Sequence, residues 1–204
     1  ATQLLLYGSG AAALQDAEGQ PYALVEKWTI GDQVTRIQTR LYELGFLDGS
    51  IDGAYGEDTQ RAVKEFCDVL LAMEGDASHS STGRSIDPYA QFMLFSPSLT
   101  LYERDFQQGD DMPDVARLKR LLTRYNYYDA GIDTVFDQNT RASVALLQQT
   151  NGLEATGVAD QAVQNLLMSG DAIVSDRPAM RALAQGDEGN QVRDLQHQLV
   201  VLGF

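Results

Sequence analysis

This sequence is short of nearly everything that marks a chemical site by itself. It has one cysteine, Cys67, one tryptophan, Trp28, and two histidines, His79 and His197, in 204 residues. A single thiol excludes an intrachain disulfide and a multi-thiolate metal centre. It does not choose a redox compartment, because a reducing cytosol and a disulfide-poor bacterial exterior both fit. The two histidines have neither H-E-x-x-H spacing nor a carboxylate-flanked partner, so no zinc site is read and both are assigned to the surface. Positive charge is scarce as well: 15 Lys and Arg against 29 Asp and Glu leave a net charge of −14. Nucleic acid is therefore disfavoured as a partner, and so is electrostatic attraction to anionic lipid. No run nears the ~20 apolar residues of a membrane span, and the start, ATQLLLY, lacks the basic n-region of a signal peptide. A Gly-rich phosphate loop and a Ser-x-Gly-Cys thiol signature are both missing.

What is present is the composition of an ordinary globular chain, 44% hydrophobic and 22% charged, with an aliphatic core. Its organising feature is repetition. Val34, Ile37, Leu41 and Leu44 match Val115, Leu118, Leu122 and Tyr125, and match again Val192, Leu195, Leu199 and Leu202. Steps of three, four and three put each set on one helix face. Gly45-Phe46, Asn126-Tyr127 and Gly203-Phe204 follow. Gly or Asn suits the left-handed residue that ends a helix, with the aromatic folding back on the last turn.

A loop comes next, residues 47–56 in one copy and 128–137 in the other. Ile51 with Tyr55, and Ile132 with Phe136, are read as its apolar pegs. A second helix begins at Gly56 or Asp137, with Ala62, Val63, Phe66 and Leu70, or Val144 and Leu147, facing inward. A turn at Thr82-Gly83 or Thr156-Gly157 leads into a short third helix, Pro88 to Phe95 or Gln161 to Met168. Thr2 to Tyr7 resembles that third helix, so the chain reads as a fragment opening in the tail of a preceding repeat.

The fold class expected is all-α: tandem small three-helix bundles joined by semi-rigid linkers, with a half-repeat at each end. The expected boundaries are 1–30 (tail and linker), 31–95 (repeat), 96–111 (linker), 112–168 (repeat), 169–188 (linker) and 189–204 (first helix of a truncated repeat). Ala23-Leu24-Val25, Leu99 to Tyr102 and Ala172-Ile173-Val174 are read as short strands or as segments lying along a bundle.

The first copy, with Gly31, Val34, Gln38, Leu41, Gly45, Phe46, Asp52, Gly53, Tyr55, Gly56, Thr59, Ala62, Val63 and Phe66, resembles the three-helix peptidoglycan-binding domain found beside bacterial cell-wall hydrolases. Cys67 stands where that family usually has Gln. The second copy keeps Asp133, Phe136, Thr140, Val144 and Gln148, but has Lys119 for Gln and Thr134 and Asp137 for the loop glycines. The third has Gly186, Gly189, Val192, Gln196, Gly203 and Phe204. The resemblance implies non-catalytic binding of peptidoglycan by an extracellular, wall-associated part of a larger bacterial protein, with no cofactor and no metal. Tandem units would add avidity.

The candidate ligand-binding residues are Gln38, Asp52, Tyr55, Thr59, Arg61, Tyr128, Thr140 and Arg141, the polar and aromatic groups around the loop. Tyr42, Tyr102 and Tyr127 are further surface candidates. For Tyr55 and Phe136 a core role is the stronger reading, and Thr59 and Thr140 also suit a helix first turn. Asp52 and Asp133 occupy equivalent turn positions, which a turn role explains without catalysis. Cys67 is read as a half-buried structural thiol. The competing function is a structural or protein-interaction array that has lost carbohydrate affinity; a hydrolase within the fragment is the third reading. Self-association through the half-repeats at 1–7 and 189–204 is a further expectation.

Overall fold

The computed structural model describes residues 14–16, 19–74, 81–97, 99, 101 and 104–176. Both histidines, Tyr102 and the terminal half-repeats lie outside the described residues. The chain divides into two compact units, Ala1–Glu103 and Arg104–Phe204. Six helices are described: α1 (Asp32–Glu43), α2 (Glu57–Glu74), α3 (Pro88–Phe95), α4 (Pro113–Arg124), α5 (Gln138–Thr150) and α6 (Gln161–Ser169). The only sheet among the described residues pairs β1 (Val25–Glu26) antiparallel with β2 (Ser85–Ile86). The fold is all-α.

In the first unit, α1 packs against α2 and α3. Its stripe of Val34, Ile37 and Leu41 is fully buried, with Ala62, Val63, Phe66 and Leu70 of α2 and Leu94 of α3 in the same core. Each of the Val, Ile, Leu and Phe side chains contributes about 1.5–3 kcal/mol of burial free energy. The second unit repeats the plan, α4 packing against α5 and α6 around Val115, Leu118, Leu122, Val144, Leu147, Val163 and Leu167. Helix ends follow local chemistry. Asp87, Asp137 and Asp160 each accept a backbone N–H from the first turn of the helix they precede. Gly45 and Asn126 take positive φ after α1 and α4, at 83° and 60°, and Phe46 and Tyr127 fold back into the core.

The loop pegs differ from the expectation. Tyr55 and Phe136 are buried, but Ile51 and Ile132 remain 41% and 39% exposed. Leu47 and Tyr128, at the loop's start, are buried. Gly53 holds the first loop at φ +71°, a conformation glycine adopts freely.

The segment before each first helix is tied down. Val25 pairs with Ile86 in the first unit, and Phe106 with Ala159 in the second. Ile30 and Asp111 then bridge to Ala54 and Val135, clamping the loop between α1 and α2, and between α4 and α5. In the second unit, the stretch after α6 lies along the bundle. Tyr127 donates its hydroxyl to the Ile173 carbonyl at 2.6 Å, and Ser175 N donates to the Tyr125 carbonyl at 2.9 Å.

Candidate functional site

The loop after α1 is organised by one buried amide. Gln38 Oε1 accepts the Gly53 N–H at 2.8 Å, and its Nε2 donates to Asp52 Oδ1 at 2.9 Å, the Ala54 carbonyl at 3.1 Å and Thr59 Oγ1 at 3.0 Å. Asp52 Oδ1 also accepts the Ala54 N–H, making a local turn. These bonds, Gln38's first, hold the Asp52 carboxyl below its ordinary range.

Gln148 builds the same device before the third helix of the second unit. Its Oε1 accepts the Gly157 N–H at 2.8 Å, and its Nε2 donates to Thr156 Oγ1 and the Val158 carbonyl at 3.0 Å each. Gln91 and Gln164 are further buried struts. Gln91 Nε2 reaches the Ala23 and Ile86 carbonyls, and Gln164 Nε2 reaches those of Arg104 and Ala159. A primary amide suits these places because it donates and accepts at once.

Two positions break the pattern. Lys119 replaces Gln38's counterpart and has no acceptor. Its ammonium, fully buried, donates to Asp133 Oδ1 at 2.7 Å and lies 5.2 Å from the Tyr128 ring centroid. Burial favours the neutral amine, but the hydrogen bonds to Asp133 and Tyr128 outweigh it and raise the Lys119 pKa. The same Lys119 contact depresses Asp133. Thr134, at Gly53's place, does not adopt positive φ.

Cys67 stands where Gln148 stands in the second unit. It is 3% exposed, deeper than the half-buried position expected. Burial pushes its thiol up to about 12, so it is no nucleophile near neutrality. Ser81 Oγ takes over the turn, accepting the Gly83 N–H at 3.0 Å, while the Tyr55 hydroxyl donates to the Gly83 carbonyl at 2.8 Å. The second unit has Phe136 in place of Tyr55 and keeps the glutamine instead.

The candidate binding residues therefore divide by exposure. Gln38, Tyr55, Thr59, Tyr128 and Thr140 are buried, each between 0% and 4% exposed. Tyr128 donates to the Gly131 carbonyl, and Thr140 donates both its N–H and its hydroxyl to Asp137. Asp52, Arg61 and Arg141 face solvent. Arg61 pairs with Asp58 on its own helix. The Arg141 side chain lies over Gly157, where a Cβ would meet its Cγ at 2.7 Å. Tyr127, a surface candidate in the sequence, is fully buried, and Tyr42 is intermediate. The structure gathers Gln38, Asp52 and Thr59 into one network and separates Arg61 from it.

Sequence reasoning missed a groove of about 290 Å³ beside α1 and α3. Asp16, Tyr22, Gln33, Arg36, Gln91 and Phe95 line it. The Tyr22 and Phe95 rings stack at 6.0 Å, and the Arg36 guanidinium lies 5.5 Å from the Phe95 centroid and 3.3 Å from Asp16 Oδ2. The counterpart beside α4 and α6 has closed to about 10 Å³. There Arg117 is 4% exposed and held against Asp114 at 3.1 Å and Met168 Sδ at 3.8 Å. The groove escaped notice because Asp16 and Tyr22 fall in a stretch with no repeat pattern.

Among the described residues no group of three or more His, Cys, Asp and Glu is placed to hold a metal ion, and no helix is long and apolar enough to cross a membrane. Residues 30–66 and 111–167 match the family described as "Putative peptidoglycan binding domain". Both repeats are therefore similar to a family of binding domains. No curated protein matches the chain.

Proposed function

We propose that this chain binds bacterial peptidoglycan without catalysis and holds a larger protein at the cell wall. The observation that carries this is the family match of both repeats, at 30–66 and 111–167, on two units built to one plan. In this reading Gln38, Tyr55, Thr59, Tyr128 and Thr140 shape the loop from inside. Asp52, Arg61 and Arg141 meet the polymer from outside, and the Arg36–Phe95 groove adds a polar and aromatic wall. The first unit is the principal binder. The second, with its groove filled by Arg117 and Lys119 in place of the glutamine, acts mainly as a spacer.

The test is co-sedimentation with purified insoluble sacculi, together with turbidity of a wall suspension. We expect retention in the pellet and steady turbidity. Protein left wholly in the supernatant would favour the interaction-array reading, and clearing of the suspension would favour a hydrolase.

A further inference from the structure

The chain's single tryptophan sits where its own repeats use glycine. Trp28 precedes Gly31 by the spacing at which Gly109 precedes Met112 and Gly186 precedes Gly189. The backbone is the same in both described copies. Trp28 N donates to the Tyr55 carbonyl at 2.9 Å, as Gly109 N donates to Phe136 at 3.0 Å. Tyr55 N returns a bond to Thr29, as Phe136 N does to Asp110. Both residues have positive φ, 80° at Trp28 and 102° at Gly109. Glycine adopts this region without strain, whereas a bulky side chain there is an outlier of the kind that clusters at ligand contacts.

No core packing compensates. The Trp28 residue is 71% exposed, the largest side chain the first unit leaves in solvent among its described residues. It is nevertheless supported. The Lys27 ammonium lies 4.7 Å from the indole centroid and is itself held by Gln60 Oε1 at 2.7 Å and Glu57 Oε1 at 3.7 Å. The Lys27 side chain is 11% exposed, so it is a fixed prop. The assembly is a flat aromatic surface with a carboxylate and an amide gathered around the same cation, on the side of the unit where the α1–α2 loop is clamped.

From this geometry we infer that Trp28 is a stacking platform for an N-acetylated sugar ring, which makes the glycan strand the part of peptidoglycan that the first unit reads. The inference rests on the peptidoglycan reading above. A pyranose ring offers an apolar C–H face to an indole, and its hydroxyl and acetamido N–H groups suit the exposed Glu57 carboxylate. The ring is neutral, so the −14 charge of the chain does not oppose it. The second unit, with Gly109 at this place, has no platform.

Three measurements test this. First, because Trp28 is the only tryptophan, its emission reports this position alone. Titration with soluble β-1,4-linked N-acetylglucosamine oligomers is expected to shift or quench it saturably, and free stem peptide is not. Second, Trp28→Gly is expected to keep or raise the unfolding midpoint while weakening retention by sacculi about tenfold, the loss of one stacking contact. Third, Trp28→Phe is expected to recover part of that retention.

Unchanged emission with the sugar oligomers overturns the inference. So does retention of Trp28→Gly equal to that of the parent, which leaves the family reading standing. A parent chain that sacculi do not retain sinks the peptidoglycan reading, and the sugar titration then decides Trp28 by itself. A Trp28→Gly variant altered only in its light-scattering mass assigns the indole to a protein contact and overturns the sugar platform.

Discussion

Gln38 and Lys119 occupy the same position in two copies of one helix and meet the same loop with different chemistry. The amide accepts from Gly53 and donates to the Asp52 carboxylate, so the first loop is closed without a buried cation. Removing it leaves the buried Gly53 N–H without its partner and the Thr59 hydroxyl with only a long bond to the Ala54 carbonyl. Gln38→Ala is expected to lower first-unit stability by about 2–3 kcal/mol. Urea unfolding followed by Trp28 emission reads that unit alone, and a loss under ~0.5 kcal/mol would refute the strut. Both loops carry a depressed Asp, but Lys119 adds a titrating ammonium to the second. The folded Asp133 pKa is depressed below 3.8, so its contribution is full above that value and disappears as pH falls through the folded value. The Lys119 pKa is raised above 10.5, so its contribution is full below that value and lost as pH rises through the folded value. Lys119→Gln is therefore expected to reduce the loss of second-unit stability below about pH 4, measured as thermal midpoints by circular dichroism. An unchanged acid profile would show that the pair does not govern it.

At the scale of elements, the two units diverge at the turn before the third helix. Gly83 and Gly157 both have φ +72°, but their surroundings differ. A Cβ on Gly83 would meet the Gln60 backbone carbonyl oxygen at 2.0 Å, whereas one on Gly157 would meet chiefly the flexible Arg141 side chain. Gly157→Ala is expected to cost about 1–2 kcal/mol, the ordinary penalty of the left-handed region. Gly83→Ala is expected to cost more than ~3 kcal/mol, because the turn must back away from α2. Equal losses in chemical unfolding would contradict this account. The helices themselves were legible in the sequence. Val34, Ile37 and Leu41 lie on one face at helical spacing, and amphipathicity alone dictates that the face be buried. Ile51 and Ile132 were misread because a loop has no period, and Leu47 and Tyr128 at its start are the residues that turn inward.

Across the whole molecule, the proposed function makes net charge govern how the chain would meet a wall. A chain of −14 is repelled by anionic wall polymers, and salt screens that repulsion over a Debye length of about 8–10 Å. Retention by sacculi is therefore expected to hold or rise between about 0.05 and 0.5 M salt. A steep fall would mean that contacts by Arg36, Arg61 or Arg141 dominate. Two similar units would add avidity, but the spacer role proposed for the second unit, with its closed groove and Gly109, predicts one strong contact rather than two equal ones. The chain is then expected to bind with the affinity of its first unit, so an isotherm with two equal sites per chain would contradict the spacer role.

The sequence by itself determined the helices, their buried faces, the left-handed residues after α1 and α4, and the family resemblance. All of these depend on residue type and spacing along one chain. Only tertiary structure decided which polar residues face solvent. Burial is settled by what packs on top: Gln38 and Thr59 look like surface groups in the sequence, yet the returning loop covers them. It also decided that the groove is open at Arg36 and filled at Arg117, and that Trp28 is exposed on a backbone its twin builds with glycine. Each of these depends on segments distant in sequence meeting in space, which no local pattern encodes.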